Sequence, residues 1–484
     1  MAANPLSEAR KQVRNAYGAA FESKASDALV LSIAQPLTLS TSFSAARQVA
    51  FAVGPPLAAR GAALPEAATA PGQPSSVILE LARPETAPPA AVEAAHPAWQ
   101  ELSSSLEKLG AASTADAASV VRRLRATQLR EAFYKSASSL REQIGRSFGG
   151  ARPEAVLAAG PQALTEVCWL NNTLRTVAHL PTLAEVAQDS KVERLGLPRL
   201  LAPEAGSKIV DVLGAAAFRK KTSLTGKGVV VAILDTEIAY QHKAFQGRVI
   251  LKENYTREPW GHPAEHGTAV AGLLAASATA FTGIAPEVTV YHYKVIATAT
   301  FGADDFGGAR AIQQALEDGA QIANCSWGIG PADHGTSREA RAFDQAWDLG
   351  LTIVKSAGNV GARGLTSPGD ARGVIVVGAT DRLGQNVIPE SSRGTTPNGR
   401  KLDCVAPGGS AQDFLTSTRP DGKTGLVGYG TSFASPQVAG LLALLLEKDK
   451  TQTPDQLRTA LLATCKKLPG TMADAQGSGQ PFFS

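Results

Sequence analysis

The chain has 484 residues, which corresponds to roughly three domains at about 150 residues each. Its 47 basic and 43 acidic residues leave a formal net charge of +4, too small over this length for the basic field of a nucleic-acid-binding protein. Hydrophobic residues make up 44% and charged residues 19%, which excludes wholesale disorder and predicts a sizeable buried core. No apolar run approaches the about 18 residues of a membrane span. We therefore expect neither nucleic acid nor a membrane as a partner.

The N-terminal stretch scatters charges where a secretory signal needs an uninterrupted apolar segment. The four cysteines are too far apart in the sequence for a metal-ligand pair or a dense disulfide scaffold, so we expect buried thiols. Both observations favour cytoplasmic residence, with leaderless export as the open alternative.

In chain order, residues 1–75 come first, rich in Ala, Ser, Pro and Gln and without sustained periodicity, which predicts a weakly ordered segment. Residues 76–205 predict a small α+β domain: a strand at SVILEL, one or two helices over 113–148, a hairpin around Asn171-Asn172, a helix over 183–188 and a strand over 192–197. A polar, basic linker over 206–227 follows and is a candidate processing site.

Residues 228–484 differ, because short continuous apolar runs alternate with helical stretches. Such runs suit strands covered on both faces, so the pattern predicts an α/β domain with a doubly wound, mostly parallel sheet. The predicted strands are 228–234, 288–295, 321–326, 351–357 and 373–379, and the predicted helices are 266–276, 308–318 and 337–349. Ligands of such sheets bind beyond the carboxyl ends of the strands, so the residues after each run are the candidates for chemistry.

Four polar residues stand at such positions or at helix starts. Asp235 directly follows the first run, His266 opens a helix, Asn359 follows LTIVKSAG, and Ser432 precedes a helix with Pro436 in its first turn. A serine hydroxyl needs a neighbouring base to become a nucleophile, His266 is the candidate base, and Asp235 would orient the imidazole. The Asn359 carboxamide and the Ser432 backbone N–H are candidate donors to an oxyanion. The set predicts a hydrolase.

The segments GVVVAILDT, EHGTAVAG, SAGN and GTSFASPQVAG resemble the four active-site motifs of the subtilisin-like serine proteases over about residues 222–470. The resemblance implies a serine endopeptidase that acts through an acyl-enzyme, with polypeptides as substrates. It also implies that the substrate binds as an added strand between two segments, Ser326, Trp327 and Gly328 on one side and Ser356, Ala357 and Gly358 on the other.

Some positions depart from the family pattern. Glu237 replaces the usual glycine and adds a carboxylate close to the triad, where it could shift the geometry or pKa of His266, and Ala269 stands where a second histidine is common. The segment between Leu274 and Ile284 is short where many relatives carry a calcium loop. We therefore expect no metal site and no cofactor.

The order strand, helix, hairpin, helix, strand before the protease is similar to the inhibitory propeptides of this family, with a longer helical insertion. This likeness implies a zymogen that processes itself, its N-terminal domain serving as an intramolecular inhibitor. Two alternatives stay open: an inactive pseudoprotease that binds peptides or partners, and an active protease whose N-terminal half is a permanent regulatory domain. A separate inhibitor or regulatory protein is a further open partner.

Overall fold

The computed structural model describes residues 5–27, 29–30, 75–82, 114–146, 165–178, 180–196, 202–203, 212–279, 281–298 and 304–484. Contacts divide the chain into two compact units, one of Met1–Ala111 with Arg123–Arg199 and the other of Ala112–Arg122 with Leu200–Ser484. Among the described residues, every helix is too short or too polar to traverse a bilayer. The predicted boundaries at 75, 205 and 227 stay predictions.

The first unit contains a four-stranded antiparallel sheet in the order β2-β3-β1-β4. Its strands are β1 (Ser75–Leu81), β2 (Thr165–Cys168), β3 (Thr173–Ala178) and β4 (Val192–Gly196). The turn between β2 and β3 contains Asn172 with a positive φ of 55°, which an asparagine tolerates well. The predicted hairpin and the two flanking strands are confirmed.

The helices of this unit differ in part from the prediction. They are α1 (Pro5–Tyr17), α2 (Ala19–Lys24), α3 (Thr114–Arg146, in this unit from Arg123 onward) and α4 (Leu180–Val186). The segment over 113–148 is thus one helix. The first two helices lie in the segment expected to be weakly ordered, whose residues 31–74 are outside the described part. Ala9 and Val13, four residues apart and buried, give α1 the apolar stripe that stabilises it.

The second unit contains a seven-stranded parallel sheet in the order β16-β15-β13-β11-β6-β10-β7. Its strands are β6 (Val230–Thr236), β7 (Val249–Asn254), β10 (Thr289–Ile296), β11 (Ile322–Cys325), β13 (Thr352–Ser356), β15 (Ile375–Thr380) and β16 (Cys404–Pro407). The strand order reverses around β6, so a crevice is expected where β6 and β11 end. The predicted doubly wound α/β fold is confirmed.

Short strands complete this unit. A three-stranded antiparallel sheet has the order β14-β12-β5, and three two-stranded sheets pair β8 with β9, β17 with β18 and β19 with β20. Their bounds are β5 (Ala202–Pro203), β8 (Ser277–Ala278), β9 (Phe281–Thr282), β12 (Trp327–Pro331), β14 (Thr366–Ser367), β17 (Thr416–Thr418), β18 (Thr424–Leu426), β19 (Cys465–Lys466) and β20 (Gln480–Pro481).

Helices cover both faces of the parallel sheet. On one face α6 packs against α9, and on the other α7 packs against α8. The helices are α5 (Ala215–Thr222), α6 (Glu265–Ala275), α7 (Asp305–Glu317), α8 (Arg338–Asp348), α9 (Thr431–Lys448), α10 (Pro454–Ala463) and α11 (Ala473–Gln476). The three helices predicted in this half are α6, α7 and α8.

Candidate active site

Asp235 lies at the carboxyl end of β6, wholly buried. Its Oδ1 accepts hydrogen bonds from the Thr236 backbone N–H at 2.7 Å and from the Thr236 hydroxyl at 3.2 Å. These donors fix the carboxylate at the edge of the sheet where the strand order reverses. An ionised carboxylate so held can orient a neighbouring group by accepting one more hydrogen bond.

That neighbour is His266, at the start of α6, whose Nδ1 lies 2.6 Å from Asp235 Oδ1. Because a carboxylate only accepts, Nδ1–H is the donor, and the lone pair of the neutral imidazole then lies on Nε2. Gly267 makes this approach possible. Its N–H donates to Thr236 Oγ1 at 2.9 Å, and a Cβ at position 267 would lie 2.2 Å from the Thr236 carbonyl oxygen. The residue after the histidine must therefore be glycine for α6 to begin so close to β6.

Ser432 is the second residue of α9, and the phenyl ring of the next residue, Phe433, lies 5.5 Å from the His266 ring. The Ser432 hydroxyl donates to the Ser326 carbonyl at 3.0 Å. Pro436 cannot supply the helical N–H that the Ser432 carbonyl would normally accept. The Ser326 hydroxyl donates to that carbonyl instead at 2.8 Å, so one residue contacts Ser432 through both its hydroxyl and its carbonyl.

Asn359 lies in the loop after β13 and is partly exposed. Its Oδ1 accepts from the Thr431 backbone N–H at 3.0 Å and from the Thr431 hydroxyl at 3.1 Å. The Thr431 hydroxyl oxygen also accepts from the Gly358 N–H at 3.2 Å, which ties this loop to the start of α9. Because the amide oxygen is held by two donors, the carboxamide offers its N–H groups to a ligand.

The two predicted substrate segments both border this site. Ser326 and Trp327 are buried, and Trp327 and Gly328 in β12 pair antiparallel with Pro203 and Ala202 of β5. An extended segment of the chain itself is therefore seated on the edge predicted to receive substrate.

The other segment, Ser356, Ala357 and Gly358, is also buried and is held from behind by Thr366. The Thr366 N–H donates to the Ala357 carbonyl at 3.0 Å. A Cβ at position 358 would lie 2.7 Å from Thr366 Cγ2, so glycine is needed at position 358 for the chain to pass this close to Thr366. This contact fixes the position of one of the two segments predicted to flank the substrate strand.

The Glu237 carboxylate belongs to a separate buried cluster. Its Oε2 lies 2.9 Å from Lys294 Nζ, and its two oxygens accept the N–H groups of Gly261 and His262 at 2.8 and 3.1 Å. The Lys294 ammonium also lies 2.8 Å from Glu258 Oε2. The Glu237 carboxylate thus bonds to Lys294, whereas the His266 imidazole bonds to Asp235. The effect of Glu237 on the geometry or pKa of His266 stays a prediction.

Sequence reasoning missed Thr431, Lys294 and Lys355, whose importance depends on what they contact. Thr431 directly precedes Ser432, and this position in the sequence could have indicated that it lies in the site. The two lysines stand within apolar strands, β10 and β13, and are wholly buried. A charged residue in an otherwise apolar strand is a signal that the sequence does contain.

Two other histidines, His292 and His242, and the acidic pair Asp304–Asp305 make contacts that stabilise the fold outside this site. His292 is buried against Trp260, with burial lowering its pKa to about 4, and His242 caps a short 3₁₀ helix. The Asp304 side chain caps α7, and Asp305 forms a buried ion pair with Arg338. Over the described residues, no three His, Cys, Asp or Glu side chains are grouped to hold a metal ion.

Comparison with known proteins identifies the family. A profile described as the subtilase family matches residues 226–479, more than half of the chain. The chain belongs to the subtilase family. It is 31% identical over 307 residues to alkaline elastase YaB of Bacillus sp. (strain YaB), covering 61% of this chain and 72% of the relative. It is 35% identical over 266 residues to subtilisin BL of Lederbergia lenta, covering 53% and 89%.

Among solved structures, the prenylagaramide maturation protease PagA matches with a TM-score of 0.48 and 28% identity, covering 56% of this chain and 95% of that one. As a subtilase, the chain is a subtilisin-like serine endopeptidase, and its substrates are polypeptides. The resemblance found from the four motifs is confirmed.

Proposed function

We propose that this subtilase cleaves peptide bonds through Ser432, His266 and Asp235, with Asn359 as an oxyanion donor. The observation that carries the proposal is the 2.6 Å contact between His266 Nδ1 and the buried Asp235 carboxylate, at the sheet edge that Ser432 borders. This contact leaves Nε2 as the basic atom, which is the tautomer that a general base requires.

In the proposed reaction, Ser432 Oγ attacks the peptide carbonyl carbon while its proton passes to His266 Nε2. The carbonyl oxygen becomes an oxyanion that accepts from the Asn359 amide and the Ser432 backbone N–H at the positive end of α9. The C–N bond then breaks, and the imidazolium gives its proton to the leaving amine. Water, deprotonated by His266, attacks the ester, releases the acid and restores the Ser432 hydroxyl.

We propose further that the chain is a zymogen that cuts itself. The pairing of β5 with β12 supports this, because Ala202 and Pro203 take the place of a substrate strand on the edge of Trp327 and Gly328. The chain continues from this strand toward the linker, so the first cut is expected a short distance after Pro203. The preceding four-stranded unit would then act as the intramolecular inhibitor.

We also propose cytoplasmic residence. All four cysteines are free, and the thiols of Cys404 and Cys465 lie within hydrogen-bonding distance, so an oxidising compartment would favour joining them. Cell fractionation with mass spectrometry tests this. Recovery of the protein outside the cell with these two cysteines linked contradicts the proposal.

The test of the chemistry compares the full chain with Ser432→Ala. The substitution is expected to abolish labelling by a fluorophosphonate and to lower peptide hydrolysis about 10⁶-fold, the effect of removing the nucleophile from subtilisin itself. The matched control is Ser410→Ala, at a partly exposed serine outside the site, which should label as the wild type does. Labelling that survives in Ser432→Ala contradicts the assignment. A wild-type chain that neither labels nor cleaves is the pseudoprotease.

The test of self-processing is intact-mass analysis and N-terminal sequencing of the purified proteins. Two fragments divided shortly after Pro203 are expected for the wild type and one intact chain for Ser432→Ala. An intact wild-type chain with full activity would instead identify the N-terminal half as a permanent regulatory domain.

A further inference from the structure

Glu237 is the first residue after β6, two positions beyond Asp235, and its side chain is only 3% exposed. Burying a carboxylate is costly unless a charge and hydrogen bonds compensate it. The Lys294 ammonium supplies the charge, 2.9 Å from Oε2. The hydrogen bonds come from a different part of the chain, the segment that leads to His266.

We call residues 258–264 the approach segment, because they lead directly into α6. Its backbone bonds to Glu237 at three positions. The N–H groups of Gly261 and His262 donate to the two carboxylate oxygens at 2.8 and 3.1 Å. The Ala264 N–H donates to the Glu237 backbone carbonyl at 2.8 Å. One residue thus fixes most of the approach segment.

Lys294 holds the other end of the approach segment. Its ammonium donates to the Pro259 carbonyl at 2.9 Å and lies 2.8 Å from Glu258 Oε2. Lys294 pairs in register with Asp235 of the neighbouring parallel strand. The approach segment is therefore joined to β6 and β10 at the level of Asp235.

The last of these bonds lies next to His266. Ala264 is the N-cap residue of α6, two positions before His266. The contact of 2.6 Å between His266 Nδ1 and Asp235 Oδ1 tolerates little displacement of either partner. Because Asp235 is fixed by β6, the position of the imidazole depends on where α6 begins. The Gly267 N–H secures the helix after His266, and the bond from Ala264 to Glu237 secures it before.

We propose that Glu237 is a positioning residue for peptide hydrolysis: its carboxylate holds the approach segment so that His266 stays aligned with Asp235. It acts through His266 and needs no contact with the substrate. A displacement of about 1 Å at a reacting group can cost about 10²-fold in rate. The inference rests on the proposed function, because it concerns the general base of that reaction.

The first experiment compares Glu237→Gln with the matched control Asp305→Asn. Asp305 is also a wholly buried carboxylate that accepts a backbone N–H, from Phe306 at 3.0 Å, and pairs with a buried cation, Arg338 at 2.7 Å. It lies at the start of α7, on the face of the sheet opposite α6. Both substitutions turn a buried carboxylate into an amide, so both should lower the melting temperature.

The values of kcat and KM are measured well below both melting temperatures, per mole of folded enzyme. Glu237→Gln should lower kcat about 10- to 100-fold and leave KM within about 2-fold, because it displaces the base and leaves the substrate contacts in place. Asp305→Asn should keep the wild-type kcat and KM. A Glu237→Gln enzyme that melts earlier but keeps its kcat, or that changes only in KM, overturns the inference.

A second variant, Glu237→Asp, separates alignment from charge. It keeps a carboxylate beside Lys294, so it should fold and melt close to the wild type. The shorter side chain withdraws the carboxylate by one C–C bond, about 1.5 Å, from the N–H groups of Gly261 and His262. We expect kcat to fall about 10-fold. An ion pair that only stabilises the fold would leave kcat at the wild-type value, and this result also overturns the inference.

A third measurement needs no catalysis. The Nδ1–H proton of His266, in its short hydrogen bond to Asp235, is expected to give a downfield NMR resonance in the wild type. The resonance should weaken or move in Glu237→Gln and stay unchanged in Asp305→Asn, and an unchanged resonance in Glu237→Gln overturns the inference. A wild-type chain that neither labels with fluorophosphonate nor cleaves peptides overturns the proposed function instead, and the resonance then still decides whether Glu237 places His266.

Discussion

The charged cluster of Lys294, Glu237 and Glu258 gives the sharpest test of what stabilises this protease unit. Replacing Lys294 by Met keeps the length of the side chain and removes its charge. Two carboxylates, Glu237 and Glu258, lose their ammonium partner, and the Pro259 carbonyl loses a donor at 2.9 Å. The side chains of Lys294 and Glu237 are only 0% and 3% exposed, so water cannot take the place of the lost contacts.

The expected cost follows from these distances. At an effective dielectric constant of about 20, each ammonium–carboxylate contact near 2.9 Å is worth about 6 kcal/mol before desolvation is subtracted. Desolvation of the three groups and the mutual repulsion of the carboxylates cancel most of this. Removing one partner of a buried pair costs about 3–5 kcal/mol, which predicts a fall in melting temperature of about 10 °C for a unit of this size.

The assay is urea and thermal unfolding of the wild type, Lys294→Met and the matched control Lys252→Met. Lys252 forms a comparable pair with Asp318 at 3.2 Å, but both side chains are partly exposed, so its loss should cost about 1 kcal/mol or less. A double-mutant cycle with Glu237→Gln should give a coupling energy above about 1.5 kcal/mol, because the two groups are in direct contact. The reasoning is refuted if Lys294→Met is no worse than the control, or if the two substitutions are additive.

Three further outcomes are expected. In Gly267→Ala the new Cβ would lie 2.2 Å from the Thr236 carbonyl oxygen. The variant should therefore lose about 3 kcal/mol of stability, the upper end for overpacking, together with most of its fluorophosphonate labelling. Labelling and melting equal to those of the wild type would contradict this. Asn359→Leu should lower kcat about 10²- to 10³-fold with little change in KM, and a change in KM alone would argue against an oxyanion role. Burial lowers the pKa of His292 to about 4, so the unfolded chain binds the proton first as the pH falls below about 6.5. Between pH 7 and 5 the free energy of unfolding of the wild type should therefore fall by about 2 kcal/mol more than that of His292→Gln. Equal losses in urea unfolding would exclude the effect.

The parallel sheet was predictable because its signal is local. Strands buried on both faces need continuous apolar runs, and such runs are visible in a few residues of sequence. The chemistry-bearing residues follow these runs, so Asp235 could be placed at a strand end before any contact was known. The approach of His266 to it depends on the neighbouring glycine, which the motif also contains.

The buried charges were not predictable in the same way. Lys294 and Glu237 are 57 residues apart in the sequence, and only the packing of β10 beside β6 brings them together. In the sequence, Lys355 is only a charged residue that interrupts an apolar strand. Its hydrogen bond to the Thr366 hydroxyl becomes visible only in the structure. The apolar stripe of α1 was missed because it consists of only a few residues, such as Ala9 and Val13, in a segment of alanine-rich composition.

Pro436 also restricts how this sequence can change over generations. By removing one helical donor it leaves the Ser432 carbonyl to two side-chain hydroxyls: Ser326, more than a hundred positions earlier, donates at 2.8 Å, and Ser435 donates at 3.5 Å. Losing the Ser326 hydroxyl should therefore cost more stability while the proline is present than once an N–H is restored at position 436. The effect of a substitution at position 326 is thus expected to depend on which residue stands at position 436.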